Sequence, residues 1–163
     1  MTTRNDAINL DISGEYENAV KAYEQLVAEG NAPVEIFTNL AFIYWESVTQ
    51  FTFLNGSGIP DSLKSSGIEN YQKILHQGLF DFPNSPELHF WDRYFLHRGL
   101  FEDFSDEDCN NILNKYGREE SLVPYFFLYL FDKKNYKRQR DELLKICNES
   151  PTAKNTWIKS LIG

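Results

Sequence analysis

Apolar residues recur along most of the chain with the spacing of helices. In GEYENAVKAYEQLV, residues 14–27, the apolar positions are separated by three or four residues. This spacing places them on one face of an amphipathic helix, and they are Tyr16, Ala19, Val20, Tyr23, Leu26 and Val27. Gly30 and Asn31 predict the end of this helix, and Pro33 predicts the start of the next one.

The segment that follows, PVEIFTNLAFIYWE, carries an apolar stripe of its own. Because the turn before it is short, we predict that the two helices pack antiparallel. Helical spacing resumes at residues 68–79, 86–95, 122–131, 136–147 and 151–162, and no segment is a convincing strand. We therefore predict a single all-α domain, residues 1–163, of roughly eight helices. An irregular loop at about 47–67 and an insertion at about 100–120 interrupt it.

Two adjacent segments resemble the halves of a tetratricopeptide repeat. The spacing G-x-Y-x-x-A-x-x-x-Y at 14–23 resembles the second half of one repeat, and F-x-x-L-A-x-x-Y at 37–44 resembles the first half of the next. The resemblance is specific over residues 7–44. Elsewhere the repeat is degenerate, because Pro33, Pro83 and Pro151 are spaced more widely than the family's period of about 34 residues. The resemblance implies a right-handed stack of antiparallel helix pairs, an α-solenoid, whose concave face binds protein.

Charge and cysteine content narrow the class of partner. The formal net charge of -8 argues against direct nucleic-acid binding and favours a basic protein partner, with the chain itself a monomer or weak homodimer. Cys109 and Cys147 lack the paired spacing of a zinc site, and we predict no cofactor. The beginning of the sequence lacks the apolar core of a signal peptide, and no stretch is apolar enough for a membrane span, so we expect a cytoplasmic protein.

The sequence EDFSDED, Glu102 to Asp108, is the densest acidic run. Ser105 followed by Asp108 predicts a capping box, and the helix dipole favours negative charge in a first turn. A helix start therefore explains the run. A cation site or a binding epitope remains an alternative.

Candidate catalytic groups are few. His89, Asp92 and His97 lie on one predicted helix, which makes a small metal-dependent hydrolase an alternative, but they lack the paired-histidine spacing of zinc enzymes. Cys147 lies on an apolar helix stripe and is predicted to be core. Cys109 follows three acidic residues, which raise the pKa of a thiol and make it a poor nucleophile. We predict that the protein is not an enzyme.

The leading functional hypothesis is a protein that binds another protein. Small size and acidity favour an inhibitor of the immunity or antitoxin type that covers a basic toxin. A nuclease is one kind of toxin with such a basic surface. The predicted contact residues are Glu46, Glu87, Asp92, Glu102, Asp103, Asp106, Glu107 and Asp108. The alternative is an adaptor that holds a peptide in the concave groove with Asn39, Tyr44 and Arg93.

Overall fold

A computed structural model describes residues 2–49 and 61–163, except the side chains of 61–66 and 68. All regular structure in these residues is helical, which confirms the all-α prediction. The described residues form nine helices, and none of them has the length and apolar character needed to cross a membrane. They are α1 (Arg4–Ile12), α2 (Tyr16–Ala28), α3 (Val34–Val48), α4 (Asp61–Asp81), α5 (Pro86–Leu100), α6 (Asp106–Tyr116), α7 (Tyr125–Phe131), α8 (Lys137–Glu149) and α9 (Ala153–Ile162).

The predicted loop at 47–67 differs from the structure at both ends. Helix α3 continues to Val48 and α4 begins at Asp61, while residues 50–60 of that loop lie outside the described residues. Serine and glycine are poor helix formers, so the sequence before residue 68 favoured a loop. Packing overrides this preference, because a Cβ at Gly67 would lie 2.7 Å from the Tyr44 carbonyl oxygen of α3.

The described residues form two compact units. The first contains Met1–Gly78 and takes Thr152–Lys154 from the far end of the chain. The second contains Leu79–Pro151 and Asn155–Gly163. The predicted insertion at 100–120 belongs to the second unit and contains a helix of its own, α6.

In the first unit, two turns of the same kind connect α1, α2 and α3. Gly14 and Gly30 both adopt left-handed backbone angles, with φ of 76° and 74°. After each helix, two consecutive backbone N–H groups donate to carbonyls of its last turn, as in the Schellman motif. The stop predicted at Gly30 is therefore confirmed. The residues of the repeat-like spacing, Tyr16, Ala19 and Tyr23, are buried in this unit as predicted.

Aromatic side chains form the core of the second unit. Helix α5 begins as predicted at Pro86, where the Ser85 hydroxyl accepts from the Leu88 N–H at 3.2 Å. The buried ring of Phe90 on α5 makes an edge contact with Phe126 of α7, with centroids 5.4 Å apart. Nearer the C-terminal end of α5, the ring of His97 lies 6.2 Å from that of Phe127 on α7, so the aromatic packing extends towards the acidic run.

Candidate functional site

The connection between α5 and α6 is exposed, and we call Leu100–Asp103 the α5–α6 corner. Phe101 ends α5 with a left-handed backbone, φ 56°, and its N–H donates to the Leu96 carbonyl. The His97 ring donates to the Glu102 carbonyl at 2.7 Å, and the Arg93 guanidinium donates to the Asp103 carbonyl at 3.3 Å. Three α5 residues thus fix the backbone of the corner.

Phe104 fixes the next residue of the loop. Its ring is buried, stacks on Phe127 at 4.9 Å, and lies 5.8 Å from Phe90. The Arg93 guanidinium lies 5.2 Å from its ring centroid, within the range of a cation–π contact. The exposed residues on either side of Phe104 are therefore presented from a firmly packed position.

The predicted capping box at the start of α6 is confirmed. The Ser105 hydroxyl accepts from the Asp108 N–H at 3.1 Å, and the Asp108 carboxylate accepts from the Ser105 N–H at 3.0 Å. The hydrogen bond from the Ser105 backbone is the chief cause that lowers the pKa of Asp108. Arg93 also lies 3.7 Å from this carboxylate. The helix start therefore accounts for Asp108.

Four other acidic side chains of the run take no part in the capping box, although two of them, Asp106 and Glu107, lie in the first turn of α6, where the helix dipole favours negative charge. They are exposed, and within the described residues none of them has a cation within ion-pair distance. They are Glu102, Asp103, Asp106 and Glu107. Four like charges on one short surface segment create a concentrated negative field.

The other predicted contact acids lie elsewhere. Glu46 is only 2% exposed and accepts from the Thr49 hydroxyl at 3.4 Å. Glu87 is also buried, and its carboxylate accepts from the Trp91 indole and from the Ser121 hydroxyl, each at 3.2 Å. Asp92 is half-buried. Of the predicted contact acids, the fully exposed ones are therefore those at 102–107.

Two of the three residues proposed for a peptide groove are internal. Asn39 is buried and donates to the Tyr23 hydroxyl at 3.3 Å. Tyr44 is buried and its hydroxyl donates to the Glu24 carboxylate, while burial raises the pKa of this tyrosine. Arg93 is exposed, but its guanidinium holds the α5–α6 corner.

The histidines of α5 hold neighbouring loops. His89 donates to the Pro83 carbonyl at 2.7 Å and stacks on Tyr116 at 3.9 Å, while His97 donates into the corner. Across the residues that the structure describes, no group of three or more histidine, cysteine or acidic side chains is arranged to hold a metal ion.

Both cysteines are buried. The pKa of Cys109 is raised to about 12, as the sequence predicted in direction, but the main cause is burial and the Asp106 charge is a smaller contributor. Its thiol donates to the Pro124 carbonyl at 3.7 Å. A thiol with this pKa is almost entirely protonated at neutral pH, so it is a poor nucleophile.

A buried polar cluster lies in the first unit. The Asp11 carboxylate accepts from the Tyr23 hydroxyl at 2.7 Å and from the Ala153 N–H at 2.8 Å. Burial raises the pKa of Asp11 to about 6. Both oxygens of this carboxylate are already engaged within the fold, so we assign the cluster to stability.

Sequence reasoning missed the exposed apolar residues beside the acidic run. Leu100 is 66% exposed and Phe101 is 89% exposed. A signal was present, because the buried stripe of α5 runs through Trp91 and Phe95 and its next positions are 98 and 99. Leu100 therefore falls out of phase with the core, whereas Phe101 follows the buried Tyr94 by seven residues and is in phase with it, so periodicity gave a signal for Leu100 alone.

Comparison with known proteins adds no identification. No protein-family model matches this chain, and neither curated proteins nor solved structures give a significant match.

Proposed function

We propose that this protein acts by binding a basic surface of another protein through Glu102, Asp103, Asp106 and Glu107. The observation that carries the proposal is that these four exposed carboxylates have no cation partner among the described residues. Like charges held close together repel one another, and a basic partner converts that repulsion into attraction. The scaffold we propose is a degenerate tetratricopeptide-like stack of helix pairs.

Within this class, we favour an inhibitor of the immunity or antitoxin type. A nuclease needs a basic surface to hold the phosphates of its substrate, and an acidic protein that covers this surface blocks substrate binding. The net charge of -8 also favours fast, electrostatically steered association. The internal positions of Asn39 and Tyr44 favour this hypothesis over a peptide-binding groove.

The first experiment compares two charge variants in capture from the native host. The test variant is Glu102→Gln/Asp103→Asn/Glu107→Gln, which leaves the capping box intact. The control is Glu15→Gln/Glu119→Gln/Glu149→Gln, which makes the same change in net charge at exposed positions elsewhere. We expect the wild type and the control to retain one basic protein that the test variant loses.

The purified pair then gives the decisive measurement. Association rates are measured by stopped-flow fluorescence at 50 to 500 mM NaCl, and inhibition is assayed against the partner's own activity. We expect the rate to fall steeply with salt for the wild type, and to be lower and less salt-dependent for the test variant. Equal rates for the test and control variants, or capture of only short peptides, would refute the proposal.

A further inference from the structure

We propose that Leu100 and Phe101 are the apolar anchor of this docking surface, and that the occupant is a basic protein segment with an apolar side chain or pocket for Phe101. The inference rests on the proposed function and adds to it the chemistry of the partner. It follows from the conformation, the exposure and the surroundings of the α5–α6 corner.

The backbone conformation of Phe101 is one that glycine or asparagine adopts more readily than phenylalanine. A left-handed residue after a helix is usually glycine and sometimes asparagine, because a Cβ is disfavoured there. Phe101 adopts this backbone at φ 56° and leaves 89% of its surface exposed. With so little of the ring buried, its contacts within the described residues do not offset this strain. A strained backbone that its surroundings hold in place is characteristic of functional positions.

The corner is also organised before binding. Its backbone is held by Arg93, His97 and the Leu96 carbonyl, and the loop that follows is held by the buried ring of Phe104. A partner therefore does not have to order the loop when it binds, which lowers the entropic cost of association.

The same unit carries a second exposed aromatic ring. Phe131 is 56% exposed and its centroid lies 5.0 Å from that of Phe127, which stacks directly on Phe104. Aromatic anchors beside a polar or charged rim are the usual composition of an interface hot spot.

The acidic neighbours of the anchor determine what can cover it. Glu102 and Asp103 directly follow Phe101, and both are exposed without a cation in the described part of the chain. A second copy of this protein would bring its own acidic residues and a net charge of -8 to the same place. Charge complementarity therefore assigns the surface to a basic partner and disfavours self-association.

A phage-displayed library of random 12-residue peptides, selected against the full chain, tests the assignment. We expect the selected sequences to combine Lys or Arg with an aromatic or aliphatic residue. Their affinities are then measured by fluorescence polarisation against Phe101→Gly and Phe101→Asn, two residues that a left-handed position accepts. Because glycine and asparagine suit this backbone, we expect both variants to retain the fold, so that the expected loss of about tenfold or more in affinity reports the missing ring.

A second variant, Glu102→Gln/Asp103→Asn, separates this inference from the proposed function. If both kinds of variant weaken binding, both proposals are supported. If only the charge variant weakens it, the anchor is refuted while the acidic surface stands; if only the Phe101 variants weaken it, the basic partner is refuted. Peptides without basic residues, or a dimer in sedimentation that Phe101→Gly abolishes, would also overturn the inference.

Discussion

The carboxylate of Asp11 accepts a 2.8 Å hydrogen bond from the backbone N–H of Ala153, a residue 142 positions further along the chain. The next residue, Lys154, donates to the Thr38 hydroxyl at 2.8 Å, and both hydrogen bonds are buried. The segment Thr152–Lys154 is therefore bound to the first unit by polar contacts as well as by packing. Three predictions about stability and one about thiol reactivity follow from this relationship and from three other features of the fold.

The first prediction concerns the pH dependence of folding. Burial, opposed by hydrogen bonds from Ala153 and Tyr23 and by the charge of Lys154, raises the pKa of Asp11 from 3.8 to about 6. The stabilising contribution of the protonated carboxyl is present below about pH 4 and is lost as the pH rises through about 6. Relative to Asp11→Asn, the wild type should lose roughly 2 to 3 kcal/mol between pH 4 and pH 7.

Urea denaturation at a series of pH values measures this difference. The other titratable groups that interact with Asp11 are Tyr16 and Glu35. Asp141→Asn is the control, because Lys137 and Arg140 lower the pKa of that exposed carboxyl and give a dependence of opposite sign. A constant difference between wild type and Asp11→Asn across this range would contradict the prediction.

The second prediction concerns Gly67, where α4 approaches α3. On an exposed helix, Gly→Ala is stabilising by up to about 1 kcal/mol. At Gly67 the new methyl group would lie 2.7 Å from the Tyr44 carbonyl oxygen and closer still to the Val48 side chain. We therefore expect Gly67→Ala to lower the free energy of unfolding by about 1 to 3 kcal/mol. Chemical denaturation measures whether the free energy of unfolding falls, as we expect, or rises, as it would on an exposed helix.

The third prediction concerns the two capping boxes. Thr3 and Ser105 cap α1 and α6 with the same pair of hydrogen bonds. Replacing either by alanine should cost about 1 kcal/mol, and Ser105→Asp should restore most of the loss because aspartate also accepts at this position. Thermal unfolding monitored by circular dichroism measures each variant. A Ser105→Ala protein as stable as the wild type would show that the cap contributes nothing.

The fourth prediction concerns thiol reactivity. Cys109 and Cys147 are both buried, and burial raises the pKa of Cys109 to about 12. At pH 8 we expect the native protein to react with a disulfide reagent only as fast as it unfolds, and both thiols to react at once in urea. Single Cys→Ala variants assign the two rates. Rapid labelling of either thiol in the native state would refute this.

Helix boundaries with local signals were predictable from the sequence. Pro86 and the Ser105 capping box mark helix starts through bonds within a few residues, and Gly30 marks a helix end in the same way. The start of α4 was not predictable, because Gly67 is helical only through its fit against α3, which is a tertiary contact.

The candidate site was only partly predictable from the sequence, because some of its features also depend on tertiary contacts. Sequence located the acidic run, but it assigned Glu46 and Glu87 to the same surface, and their burial depends on how helices pack. The exposure of Phe101 depends on a single left-handed residue that ends α5. A phenylalanine in that conformation has no signature in hydrophobic periodicity.

The docking of Thr152–Lys154 into the first unit also bears on synthesis of the protein. A ribosome makes α1, α2 and α3 first, but the N–H group that satisfies Asp11 belongs to residue 153. Until that residue leaves the ribosome, Asp11 lacks one of its two hydrogen-bond donors. Helices α1, α2 and α3 are therefore incompletely stabilised while the second unit is being translated. We therefore expect nascent chains that stop before residue 152 to be more sensitive to protease over residues 4–48 than the finished protein.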